Sequence, residues 1–152
     1  MIYNINCIYS LLFGVVWATI IWLFVDITFN SACAQEVIVN KSVDKSHINK
    51  HSLKSIFSMH VLTWSDGTPI KVYVLPGKNA THISFSKKIL NTLPHNLQRN
   101  WDRMVFSGTG QSPLVVNSES EMMKKVATTR GAIGYVERVK DKSNIKVLYV
   151  LK

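Results

Sequence analysis

The residues best suited to chemistry lie in one stretch, "LPGKNATHISFSKKIL", running from Leu75 to Leu90. Pro76 and Gly77 mark a turn, and Asn79, Ala80, Thr81 and His82 stand where a helix is expected to open. The first N–H groups of a helix have no intrahelical acceptor and sit at the positive end of its dipole. A small polar loop feeding such a start is a place for anions. Thr81 would add a hydroxyl donor, Lys78 a cation, and His82 a ring whose unperturbed pKa is about 6.5. Asn79 suits the N-cap, although its side-chain oxygen repels an anion unless the amide turns its NH2 outward. The chemistry implied is reversible binding of an oxyanion, with a carboxylate as a further ligand class. The plainer reading is that Asn79 only caps the helix and Lys78 is a solvated charge.

A second glycine-rich loop, "SGTGQSP" (Ser107–Pro113), makes Gly108 and Thr109 candidates for the same cleft, because ligands of α/β folds gather where strands run into helices. It is no phosphate loop of the nucleotide-binding kind, since Gln111 and Ser112 follow where that pattern needs Gly-Lys-Ser/Thr; its plainer reading is a turn between helix and strand. His47 and His51 are four apart but lack the third ligand a zinc site requires. His60 and His95 are isolated. No nucleophile–base signature is present, and Glu119 and Glu121 are accounted for by a helix start. The chain is therefore expected not to be an enzyme and to need no cofactor or metal. Trp64 and Trp101 fit core or hinge packing; stacking on nucleic-acid bases is the alternative.

These residues need a scaffold, and the 152-residue chain is long enough for one. Residues 1–34 read as a separate segment. Ile8 to Val25 is apolar apart from Ser10 and Thr19, and "SACAQ" puts Ala32 and Ala34 at the small positions of a cleavage site. This is the pattern of a secretory signal peptide cut before Gln35. The segment has no Lys or Arg at its start, and the apolar run approaches the roughly 20 residues that span a bilayer. An uncleaved membrane anchor is thus the main rival, and a lipoprotein acylated at Cys33 ranks below it because Asn30 replaces the expected aliphatic. Both cysteines, Cys7 and Cys33, precede the cut, so residues 35–152 must fold on their core alone. That part carries all 18 Lys and Arg and eight acids, a net charge of +10, which favours anionic partners without choosing among them.

Along residues 35–152 the pattern alternates strand and helix. Glu36–Asn40 reads as a strand, the polar segment after it as a loop, and Leu53, Ile56 and Phe57 as one face of a short helix. Ile70–Leu75 alternates as a strand with Ile70, Val72 and Val74 on one side. The helix from about Asn79 to Asn91 carries Phe85, Ile89 and Leu93 at four-residue steps, widened by Leu90. Pro94 suits the first turn of the next helix, whose stripe is Leu97, Trp101, Met104 and Val105. "PLVVN" is a short strand. Ser118 with Glu121 is a capping signature for a helix burying Met122, Met123 and Val126. Gly131 stops it, and strands follow at Ala132–Val136 and in "NIKVLYVL". Together these imply an α/β sandwich around a small sheet.

The ordered set "VIVN", "LKSIF", "WSDGTPIKVYVL", "GKNATHISFSKKIL", "NWDRMVFSGTG" and "VATTRGAIGYV" resembles the phosphate-binding-protein-like family, the type II periplasmic solute-binding proteins of phosphate ABC importers. It covers about residues 36–136, and GAIGYV is its most specific piece. The resemblance implies a single lobe of a type II periplasmic-binding-protein-like fold, a small mixed sheet flanked by helices, detached from a receptor that closes two lobes on its ligand. In that family the loop matching Asn79–His82 reads like Ser-Gly-Thr-Arg. Here Thr81 keeps its hydroxyl, and His82 replaces the fork-shaped cation. The function implied is an exported, periplasmic or otherwise extracytoplasmic, non-enzymatic binding module. It would hold phosphate or another oxyanion weakly through Lys78, Asn79, Ala80, Thr81 and His82, with Gly108 and Thr109 on the facing loop. The expected partners are that oxyanion and an ABC transporter or another protein, with the membrane only if residues 1–34 stay attached. The alternatives are a ligand-free accessory or sensor domain of the same fold, and an exported protein that binds polyanions.

Overall fold

The computed structural model describes residues 35–139 and 143–151. The signal segment expected over residues 1–34, with Cys7 and Cys33, lies outside the described residues. Among them are six strands in one mixed sheet, in the order β2-β6-β1-β5-β3-β4. The strands are β1 (Glu36–Asn40), β2 (His47–Asn49), β3 (Lys71–Val74), β4 (Leu114–Val115), β5 (Ala132–Val136) and β6 (Ile145–Leu151). The helices are α1 (Lys50–Phe57), α2 (Ala80–Ser84), α3 (Pro94–Phe106) and α4 (Glu119–Thr128), and α2 runs on into a π-helical turn at Phe85–Ile89. β1 is antiparallel to both its neighbours, β5 and β6, whereas β3 is parallel to β5 and β4. This is the expected α/β architecture, a small mixed sheet flanked by helices. No helix among the described residues is long and apolar enough to cross a membrane.

β5 is the axis of the core. All five of its residues are buried, and successive side chains leave opposite faces of the sheet. Gly134 faces α4 so closely that an added Cβ would meet the Met122 Sδ at 2.7 Å. Tyr135 stacks on Phe85, with centroids 3.9 Å apart and planes 7° from parallel, and Phe57 of α1 meets Phe85 edge-on at 4.9 Å. Leu53, Ile56 and Phe57 are buried as the helical spacing requires. Ser118 caps α4, its Oγ accepting from the Glu121 N–H at 3.2 Å.

Three expectations need correction. The polar segment after β1 contains a strand, β2, which pairs in parallel with β6 (His47 opposite Tyr149). In β3 the expected side of Ile70, Val72 and Val74 is buried as read, and Tyr73 on the other side is buried too, because β3 lies inside the sheet between β5 and β4. The four-residue stripe after Phe85 also breaks. Leu90 donates its N–H to the Phe85 oxygen, a five-residue step. The π turn thus rotates Leu90 into the core while Leu93 is left 45% exposed. In α3 the inner stripe is narrower than expected, with Leu97 and Trp101 buried and Val105 exposed.

Candidate functional site

β3 delivers the chain through Leu75 to the turn at Pro76–Lys78, closed by the Asn79 N–H donating to the Pro76 oxygen at 2.8 Å. Asn79 is the N-cap of α2, and its Oδ1 accepts from the N–H groups of Thr81 (2.8 Å) and His82 (3.4 Å). Lys78 and Ala80 are exposed. Thr81 donates its hydroxyl to the Glu119 Oε1 at 2.7 Å. The other oxygen of the same carboxylate accepts from the Glu137 N–H at 3.0 Å. The Thr81 hydroxyl in the first turn of α2 therefore already has a carboxylate partner, supplied by the first residue of α4.

His82 is held by a different partner. It is only 2% exposed, and its Nδ1 lies 2.5 Å from the Tyr135 hydroxyl. That hydroxyl accepts from the Leu75 N–H at 2.9 Å, so its own hydrogen is free to go to Nδ1, the acceptor. Trp101 flanks the ring, with centroids 6.3 Å apart. Burial lowers the His82 pKa below its ordinary 6.5 and raises that of Tyr135, since both charged forms lose solvation. The folded ring stays neutral where the unfolded one takes up a proton. His82 thus contributes stability above pH 6.5 that is lost as pH falls toward the folded value. The melting temperature is expected to drop between about pH 7 and pH 5, and the drop should flatten in H82Q. An H82Q profile as steep as that of the parent would count against this assignment.

Gly108 and Thr109 are not brought to this mouth. Gly108, at φ +69°, ends α3. The N–H groups of Thr109 and Gly110 both donate to the Met104 oxygen at 3.1 Å, and the Thr109 hydroxyl lies 2.7 Å from that of Ser107. The two residues line a separate hollow of about 460 Å³ together with Met59, Pro69 and Lys71. Trp64 and Trp101 are buried, donating from Nε1 to the oxygens of Gly131 (2.9 Å) and Phe57 (2.8 Å). His47 sits in β2, beside Ser46 and Tyr149. Among the described residues no three His, Cys, Asp or Glu are grouped to hold a metal ion.

Sequence reading missed the two residues that complete the site. Glu119 is 38 residues from Thr81, and Tyr135 is 53 from His82. Local spacing explained Glu119 as a helix-start acid and Tyr135 as part of a strand, and neither motif points at its partner.

No family profile matches the chain, and no curated protein matches it. Solved structures do. An ABC-type phosphate transport receptor from Vibrio cholerae superposes with a TM-score of 0.59 at 16% identity, covering 78% of this chain and 47% of the receptor. PstS from Borrelia burgdorferi gives 0.60 at 18% identity, covering 77% and 47%. A Clostridium perfringens protein with bound phosphate, assigned to the phosphate ABC transporter substrate-binding class, gives 0.60 at 16%, covering 78% and 46%. The chain spans about half the length of these structures. Its fold is that of phosphate ABC transporter substrate-binding proteins, in single-lobe form.

Proposed function

We propose that this chain is an exported, non-enzymatic solute-binding-like module whose α2 mouth holds phosphate or another oxyanion weakly. The observation that carries the reading is the bond from the Thr81 hydroxyl to the Glu119 carboxylate at 2.7 Å. A carboxylate is itself an oxyanion, so these donors are arranged to receive one. A free anion must displace Glu119 or share the space with its charge, and like charges at such range repel by several kcal/mol at the effective dielectric near a protein surface. Lys78, the Ala80 N–H and the Thr81 hydroxyl would bind the incoming anion, and His82 contributes no charge there. Gly108 and Thr109 stay with their own hollow. Export through residues 1–34, with release before Gln35, belongs to the same proposal, as does work beside a transporter.

The test is calorimetric titration with phosphate of the parent chain and of E119A, in which the Thr81 hydroxyl and the Glu137 N–H are released. The parent is expected to bind weakly and E119A about tenfold more tightly, a gain of about 1.4 kcal/mol. Tight binding by the parent, or no gain in E119A, would overturn oxyanion capture at the mouth. If neither protein binds, the module acts by contact with another protein, a reading that the internally satisfied mouth also favours.

A further inference from the structure

A different hollow, of about 460 Å³, opens between α2 and the start of α3. His82, Ile83 and Lys87 line it from one side and Leu93, Pro94 and His95 from the other, and no acidic residue lines it. Gln98, at its edge, donates to Asp102 at 2.8 Å. Two independent features of this hollow are left without partners.

The first is the His82 ring. Tyr135 accepts from Leu75 and donates to His82 Nδ1, so the ring hydrogen belongs on Nε2. Nε2 has no protein partner among the described residues. It is not sealed inside either, because the fully buried side-chain atoms lacking a partner among those residues are the Gln35 Oε1 and the Ser86 Oγ. A neutral N–H donor on a 2% exposed ring that lines this hollow thus has no acceptor among the described residues.

The second is the N-terminus of α3. This 13-residue helix opens on Leu93, which makes no side-chain capping bond, and its first turn carries no acid. The N–H groups of Asn96 and Leu97 return to the Leu93 oxygen, and Pro94 has none. The His95 N–H is therefore the first-turn amide without an acceptor, at the positive end of a long helix.

We propose that this hollow binds a small organic carboxylate. The carboxylate oxygens accept from His82 Nε2–H and the His95 amide, the Lys87 ammonium balances the charge, and the carbon body lies against Ile83 and Leu93. Two N–H donors and one cation suit a monoanion with two oxygens better than a phosphate dianion with four. The apolar walls have no use for inorganic phosphate. Gly77 of the turn before α2 also lines the hollow, but Thr81 and Glu119 do not.

The test uses the ¹⁵N-labelled full chain, following the His82 ring nitrogens and the His95 amide by NMR. The probes are benzoate, benzamide and inorganic phosphate. Benzoate is expected to move both signals saturably, and benzamide, of the same shape without the charge, to leave them in place. K87Q alters an exposed residue and keeps the fold, and should weaken benzoate binding about threefold. The proposal is overturned if benzoate leaves the His82 signal unmoved at tens of millimolar. It is equally overturned if benzamide matches benzoate, if phosphate moves the same signals at lower concentration, or if K87Q binds benzoate as the parent does.

Discussion

Replacing Gly131 with alanine is expected to destabilise the domain by about 3 kcal/mol, the sum of a left-handed backbone and a steric overlap. Gly131 joins α4 to β5 at φ +72°. A side chain there would put its Cβ 2.3 Å from the Pro69 oxygen and 2.9 Å from the Thr68 Cγ2. The Pro69 side cannot easily retreat. The Thr68 oxygen accepts from the Trp64 N–H at 2.8 Å, and the Gly131 oxygen accepts from the Trp64 ring at 2.9 Å and the Lys71 N–H at 3.3 Å. Gly67 supplies the control. It also has positive φ (+82°), but an added Cβ would meet nothing within 4 Å. Urea unfolding of the two variants should show G67A losing only about 1 kcal/mol, the backbone share. Equal losses would mean that the close approach at Pro69 is not real.

The second large effect is expected from Tyr135→Phe, about 3 kcal/mol for the removal of one oxygen. The ring stays, so its stacking on Phe85 at 3.9 Å is kept. What is lost is a buried hydroxyl that accepts from the Leu75 N–H at 2.9 Å and donates to His82 Nδ1 at 2.5 Å. Both groups are then left in the core without a partner, and each bears its own desolvation penalty. Denaturant unfolding measures the loss. A double-mutant cycle with His82→Phe should show strong coupling, because the partner that suffers most is absent in the double variant. A loss near zero for Y135F, or additive single effects, would remove the Tyr135–His82 bond from the account of the core.

Tyr135→Phe probes an architectural fact: the loop that opens α2 is fastened to β5 and α4. Thr81 is tied to the start of α4, and His82 to the middle of β5. At this loop the Thr81 hydroxyl and the N–H groups of Thr81 and His82 are filled from within the chain. On the α3 side, His82 Nε2 and the His95 amide have no partner among the described residues.

The sequence by itself determined what depends on near neighbours. The spacing of Leu53, Ile56 and Phe57 sets the inner face of α1, the Ser118–Glu121 pair starts α4, and Asn79 caps α2, whereas α4 ends at Thr128 with the extended Thr129 as its cap, ahead of the stop expected at Gly131. These follow from periodicity and hydrogen bonds spanning a few residues, and the order of the pieces was enough to reveal the lobe. Only the tertiary structure decided what depends on distant ones. β2 exists because β6 pairs with it from the far end of the chain. Leu90, not Leu93, enters the core because a π turn changes the step after Phe85. Thr81 meets a carboxylate, and His82 a phenol, because sheet order brings residues 38 and 53 positions away beside them. A side chain's type is written locally, but which donors remain free is decided by what the whole chain packs against them.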